Sequence, residues 1–291
     1  MIQLAPSMAD LVKLYAIHHP SLDEGSVKLY QYAVKSLERH CDYIPHASDL
    51  SDDLLLPWLG RRLRERSPKT VRRERSDLLT LWRFAYKKGM TANPPIDFPT
   101  VKVPRKNPNS WTVEEYQTIA ASCAAMRGEM RGTGIPKSRW WSSMTTFLYW
   151  VGCRIGAALA VRWEDVNLQR RTVRLIAEEA KTDTEQVLTL HQQTVDAIAS
   201  MRSSMPTVWP FPYGHRHIWD QYKSILRRAG LPADRSHMFQ KTRRTTYTLC
   251  VKYGSKEVAS RQLGHKTDMS RFYLDTSQLD DVQASDILPS I

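Results

Sequence analysis

Apolar positions in the first 90 residues recur with a period near 3.6, the spacing of one face of a helix. SMADLVKLYAI places Leu11, Leu14 and Tyr15 together behind a capping Ser7. SVKLYQYAVKSLERHC repeats the pattern with Val27, Tyr30, Ala33, Val34 and Leu37. DLSDDLLLPWLGRRLRE and SPKTVRRERSDLLTLWRFAYKKG complete a four-helix set. Ser67-Pro68 opens the last helix with Pro at its first position, and Gly89 closes it. Residues 91–110, TANPPIDFPTVKVPRKNPNS, lose the period and read as a linker. The boundary falls near Pro104, giving a helical domain over 1–104 and a second domain over 105–291.

The second domain opens at Thr112, whose spacing to Glu115 is that of a capping box. An apolar helix follows over WWSSMTTFLYWVG and stops at Gly152; CRIGAALAVRWEDVNL is a second helix running into a turn. TVRLIA (172–177) and QVLTL (186–190) read as strands joined by the turn EEAKTDTE. Helices are predicted over 192–203 and 215–229, and 236–274 is helical apart from a turn at Gly254. The fold class is mainly α: a helical domain, then a mixed, mostly helical domain with a small antiparallel sheet. Trp140, Trp141 and Trp150 read as core.

Charge changes the picture of the first domain. Residues 1–60 carry 4 basic and 8 acidic side chains, whereas 61–90 carry 11 basic and 3 acidic. Arg61, Arg62, Arg64, Arg66, Lys69, Arg72, Arg73 and Arg75 thus form a cationic run across the end of one helix and the start of the next. Such a run suits phosphate contact, and a solvated helix face explains it too. The whole chain of 291 residues has net charge +12, and both domains are basic, +4 and +8, which suits a polyanionic partner. Two basic domains on an extended linker fit a clamp around duplex DNA. Cys41, Cys123, Cys153 and Cys250 form no CxxC, so neither zinc nor a disulfide framework is expected, and a reducing, cytoplasmic compartment is. No stretch has the run of apolar residues that a membrane span needs, and no basic n-region opens the chain.

Candidate chemistry sits mostly between Gln240 and Tyr273, QKTRRTTYTLCVKYGSKEVASRQLGHKTDMSRFY. Arg243 and Arg244 lie about 100° apart on one helix, so at most one faces a given site. His265 follows a Leu-Gly turn and Tyr273 lies eight residues on. Upstream, Arg154 follows Gly152 in an apolar setting, where a structural Arg paired to a carboxylate fits equally well. Lys181 lies at the hairpin tip, where a solvated Lys is the ordinary case.

Taken in order, Arg154, Lys181, Gln240, Arg243, His265 and Tyr273 resemble the tyrosine recombinase (phage integrase) family. The matching blocks are GCRIGAALAVRWEDV, AKTDTEQVLTL, FQKTRRTTYT and LGHKTDMSRFYLD, which span the second domain. The first domain is similar, at the level of pattern, to the family's helical core-binding domain. The resemblance implies that Tyr273 attacks the scissile phosphate to give a 3′-phosphotyrosyl link and a free 5′-hydroxyl. It implies that Arg154 and Arg243 hold the non-bridging oxygens, that Lys181 protonates the leaving oxygen, and that His265 bonds the phosphate and positions Tyr273. No metal and no cofactor is implied, and the partners are double-stranded DNA and a homo-tetramer on two sites, with a monomer or dimer off DNA.

Two departures stand out. The family's usual His three residues before its second Arg is here Gln240, which donates a hydrogen bond but carries no charge and shuttles no proton. The acidic residue that often follows the first Arg by three is Ala157. His237 reaches the place of the missing His only if the backbone shifts. In the tail, 275–291, four Asp and no basic residue accompany Leu279, Val282, Ile287 and Leu288. Docking onto a neighbouring protomer and a frayed acidic end both fit it. Because the chain opens directly on the core-binding pattern, a simple integrase without an arm-binding domain is expected. A DNA-binding relative with weakened catalysis and a type IB topoisomerase-like enzyme are the alternatives.

Overall fold

The computed structural model describes residues 5–104, 106–176 and 185–279. The chain divides into two compact units, Met1–Lys106 and Asn107–Ile291. The first is built from α1 (Met8–His18), α2 (Glu24–Cys41), α3 (Asp52–Glu65) and α4 (Pro68–Lys87). The expected signals do the starting: Ser7 accepts from the Asp10 N–H, Ser51 from Leu54, and Ser67 from Thr70 with Pro68 at the first helical position. Leu11, Val34, Leu37, Trp58, Leu78, Leu81 and Trp82 fill the unit's core, and α2 and α4 pack together. The Trp58 indole N–H donates to Ser36 Oγ at 3.0 Å, so the buried ring leaves no orphan donor.

The second unit begins with α5 (Val113–Ala124), started by Thr112 and Glu115 in a full capping box. A short hairpin, β1 (Glu129–Met130) and β2 (Ile135–Pro136), leads into α6 (Lys137–Val151). Helix α6 packs against α5, α8 and α10, and its Trp140, Trp141, Met144 and Phe147 are buried. Then come α7 (Ile155–Ala160), β3 (Val166–Asn167), β4 (Thr172–Leu175) and β5 (Gln186–Thr189). These strands form an antiparallel sheet in the order β3-β4-β5, with Thr172 opposite Thr189. Helices α8 (Gln192–Ala199), α9 (His215–Arg228), α10 (Phe239–Tyr253), α11 (Lys256–Leu263) and α12 (Ser270–Tyr273) complete it. Trp141, Tyr222 and Phe239 stack face to face, fixing α6, α9 and α10 to one another.

The mainly α class with a small antiparallel sheet stands, and the differences from the sequence reading have local causes. Helix α7 is one and a half turns long, because Val161 turns extended and its C=O pairs with Val208. The last third breaks again at Gly264, which takes a left-handed φ of 67° and ends α11. Trp150 is half-buried, not core: its ring stacks on His191 at 3.8 Å and its N–H donates to Gln193. Residues 177–184, which hold Lys181 and all of the predicted turn EEAKTDTE but its last residue, lie outside the described residues.

Candidate active site

Arg243 is the hub. It sits on the first turns of α10, 4 % exposed, and its guanidinium reaches three other elements. Nη1 donates to the Gly152 carbonyl at 2.6 Å, and Nη2 donates to the Leu263 carbonyl at 2.9 Å. Nη2 also lies 3.1 Å from His265 Nε2, and Nε donates to the Tyr273 hydroxyl at 3.4 Å. Each contact depends on where a helix ends. Gly152 closes α6 in a left-handed turn with φ 68°, and a Cβ there would lie 2.9 Å from Thr246 Cγ2, so glycine is required twice over. Gly264 closes α11 and brings His265 next to Arg243; a Cβ on it would meet Gln186 Oε1 at 2.7 Å. Gln186, at the start of β5, donates in turn to the Arg261 carbonyl at 2.6 Å. Strand β5 is thereby tied to the end of α11.

Arg154 caps α7 immediately after the Gly152 turn and is half-buried. Among the described residues its guanidinium has no carboxylate partner and no hydrogen bond; Ala157 stands where the family often has an acid. Burial, then the neighbouring Arg243, pushes its pKa down, because two cations share a site without a counter-ion. The same field acts on His265. Burial first, then Arg243 and Arg154, lowers its pKa from 6.5 to about 4, so the ring is neutral at pH 7. A guanidinium only donates, so Nε2 accepts and the proton sits on Nδ1, which is buried without a partner among the described residues.

Tyr273 ends the one-turn α12 and is 5 % exposed. Burial alone pushes its phenol pKa up. The Arg243 charge and hydrogen bond, a hydrogen bond from Gln240 and the Arg154 charge together outweigh burial, and the net shift is down from 10. Gln240 itself is exposed on the first turn of α10. The structure thus brings Arg154, Gln240, Arg243, His265 and Tyr273 together. His237 is held elsewhere, its Nδ1 2.7 Å from Asp234, and Arg244 bonds Asn109 at 3.2 Å. Two guanidiniums without a carboxylate partner among the described residues, beside a phenol of lowered pKa, make a cluster whose chemistry suits an anion such as a phosphate.

The cationic run of the first unit needs two corrections. Arg62 is buried, bonding Glu74 at 2.7 and 2.9 Å and Glu65 at 3.0 Å, so it is an internal tie between α3 and α4. Arg75 donates to the carbonyls of Phe98 and Pro99 and lies over the Phe98 ring, anchoring the segment after α4. Arg61 and Arg73 pair with Glu65 and Asp77 while staying half-exposed. Arg64, Arg66, Lys69 and Arg72 are exposed, with no ion pair among the described residues.

Sequence reasoning missed Asp275. It is 6 % exposed and its carboxylate takes the Ser110 N–H at 2.6 Å and the Ser110 hydroxyl at 3.0 Å. The acidic tail thus begins docked on its own unit; Val282, Ile287 and Leu288 lie outside the described residues.

A protein assigned as the tyrosine recombinase XerC of Pseudomonas aeruginosa is 24 % identical over 202 residues, 66 % of this chain and 46 % of its own length. The chain spans less than half the length of the curated relatives it matches. The fold is that of a lambda integrase dimer bound to a COC′ core site, with TM-score 0.74 and 16 % identity over 96 % of this chain and 80 % of that one. A lambda integrase tetramer bound to a Holliday junction gives 0.71 and 17 % over 96 % and 79 %. Residues 111–277, more than half of the chain and all of the site, match the model of the phage integrase family. The chain belongs to the phage integrase family of tyrosine recombinases.

Proposed function

We propose that this protein is a site-specific DNA recombinase that cuts and rejoins strands through a 3′-phosphotyrosyl intermediate. The observation that carries this reading is the convergence on Arg243 of the Tyr273 hydroxyl, 3.4 Å from Nε, and of His265 Nε2, 3.1 Å from Nη2, with Arg154 beside them. A scissile phosphate supplies the anion that Arg154 lacks. Arg154 and Arg243 hold its non-bridging oxygens and stabilise the charge of the pentacoordinate transition state. The Tyr273 oxygen attacks phosphorus as its phenol proton passes to water, the bond to the 5′-oxygen breaks, and that oxygen takes a proton from Lys181. The phosphate's negative charge raises the His265 pKa, turning Nε2 from acceptor to donor towards the same phosphate. Gln240 does the hydrogen-bonding part of the family's usual His. The phosphotyrosyl bond conserves the energy of the broken linkage, so attack by a 5′-hydroxyl reseals a strand.

Duplex DNA is the partner, and the exposed Arg64, Arg66, Lys69 and Arg72 are proposed to neutralise its backbone. Assembly as four protomers on two sites is proposed from the tetrameric state of a similar protein. The Gln240 substitution favours a second reading, a DNA-binding relative with weakened strand exchange. A suicide substrate, nicked so that the 5′-hydroxyl fragment diffuses away, separates the two. The enzyme reading predicts a covalent protein–DNA adduct with wild type and none with Tyr273→Phe. No adduct with wild type, at DNA affinity equal to that of Tyr273→Phe, refutes it.

A further inference from the structure

Helix α12 is four residues long, too short to hold Tyr273 by its own hydrogen bonds. The contact with Arg243, 3.4 Å from Nε to the hydroxyl, restrains the tip of the ring and not the backbone. The backbone on both sides of the tyrosine is fixed by α10 instead. Ahead of it, the Tyr247 hydroxyl lies 2.9 Å from Ser270 Oγ. Behind it, Thr248 Oγ1 donates to the Tyr273 carbonyl at 3.3 Å and accepts from the Asp275 N–H at 3.0 Å. Positions 240, 243 and 247 share one face of α10 at helical spacing and Thr248 lies on the adjoining one, so the same helix carries both the phosphate-binding groups and the anchors of the tyrosine segment.

Asp275 ties this arrangement to the segment that opens the second unit. Besides the Ser110 N–H and hydroxyl, its carboxylate accepts the Ser277 N–H at 3.2 Å and the Ser277 hydroxyl at 2.6 Å. Gln278 Nε2 donates to the Ser110 carbonyl at 3.2 Å, and the neighbouring Trp111 N–H donates to Thr245 Oγ1 of α10 at 2.8 Å. A carboxylate with four donors, buried two residues after the tyrosine, is a costly feature that only a full set of partners sustains. We propose that Asp275 is a positioning residue: clasped to Ser110, it sets the distance and angle at which the Tyr273 hydroxyl meets the phosphate. The proposal rests on Tyr273 being the nucleophile. Asp275 touches neither phosphate nor Tyr273 oxygen; it acts through the two residues of backbone between them.

The test uses the full chain, a nicked suicide substrate, and the same substrate with sulfur in place of the bridging 5′-oxygen. Sulfur leaves without a proton donor, so only defects in proton delivery are relieved by it. Asp275→Ala is expected to slow single-turnover adduct formation by about a hundredfold on both substrates, the scale of a misplacement near 1 Å. DNA affinity should change little, while the melting temperature falls by several degrees as buried donors lose their acceptor. Asp275→Asn, of nearly the same shape, is expected to lose about tenfold, and Ser110→Ala,Asp275→Ala no more than Asp275→Ala alone, because the two residues act as one unit. A wild-type rate in Asp275→Ala overturns the proposal, as does recovery on the sulfur substrate or a loss of rate matched by a loss of DNA affinity. A readout independent of catalysis is the fluorine resonance of 3-fluorotyrosine at position 273. It should shift in Asp275→Asn and Asp275→Ala, and an unmoved resonance also overturns the clasp. If wild type forms no adduct while the resonance does shift, the clasp stands and the recombinase reading falls.

Discussion

Two glycines four residues apart carry opposite predictions. At Gly152, alanine meets a backbone with φ 68°, which costs a side chain about 1–2 kcal/mol. Its Cβ also arrives 2.9 Å from Thr246 Cγ2 and 3.1 Å from Leu263 Cδ1, an overpacking worth about 1–3 kcal/mol. Together about 3 kcal/mol is expected, or a fall of roughly 6–12 °C in the melting temperature of a unit this size. The relief comes by moving the end of α6 away from α10 and α11, which pulls the Gly152 carbonyl from Arg243 Nη1 and tilts the guanidinium that faces Tyr273. Gly152→Ala should therefore lose adduct formation even at temperatures where it stays folded. Gly156, inside α7, has nothing within 4 Å of an added Cβ, so Gly156→Ala should leave stability unchanged or raise it by up to about 1 kcal/mol. Calorimetry of both variants with the suicide-substrate assay decides the matter. A melting temperature within about 2 °C of wild type for Gly152→Ala, or equal falls for both, refutes the reasoning.

The other predictions are shorter. Gln240→Ala removes a donor to the phenol and should raise the Tyr273 pKa, seen by ultraviolet titration, and slow adduct formation about tenfold; Gln240→His should speed it. His265, with a folded pKa of about 4 against 6.5 unfolded, binds its proton first in the unfolded chain. Stability should accordingly fall as pH drops from about 6.5 to 4, and His265→Gln should flatten that part of the profile. In NMR titration the free protein's His265 should stay neutral well below pH 6 and shift upward on DNA; a value near 6.5 without DNA contradicts the pocket's electrostatics. Removing Arg64, Arg66, Lys69 or Arg72 should each lower the salt slope of DNA binding by about 0.9, whereas Arg62→Ala should cost about 3 kcal/mol of stability.

Much of this was legible because it rests on local rules. The caps at Ser7, Ser67 and Thr112 and the stop at Gly152 are all set within a few residues of chain. The misses are places where partners come from afar. Arg62 counted as a free cation until Glu74, on the next helix, was found to neutralise it. Asp275 looked like part of an acidic tail because nothing nearby in sequence announces Ser110, 165 residues earlier. The two-residue strands β1, β2 and β3 are too short for alternation to register. The neutrality of His265 was equally hidden, since it comes from burial and then from two arginines, and only the fold supplies either.

The central claim is that Tyr273 becomes bonded to DNA. Wild-type protein trapped on a nicked substrate, digested with protease and nuclease, gives a peptide whose mass and fragmentation locate the attached nucleotide. The account predicts a nucleotide joined through its 3′-phosphate to Tyr273, with the freed strand carrying a 5′-hydroxyl. A nucleotide on another residue, a 5′-phosphate linkage, or no linked peptide where DNA is bound and cut would contradict it.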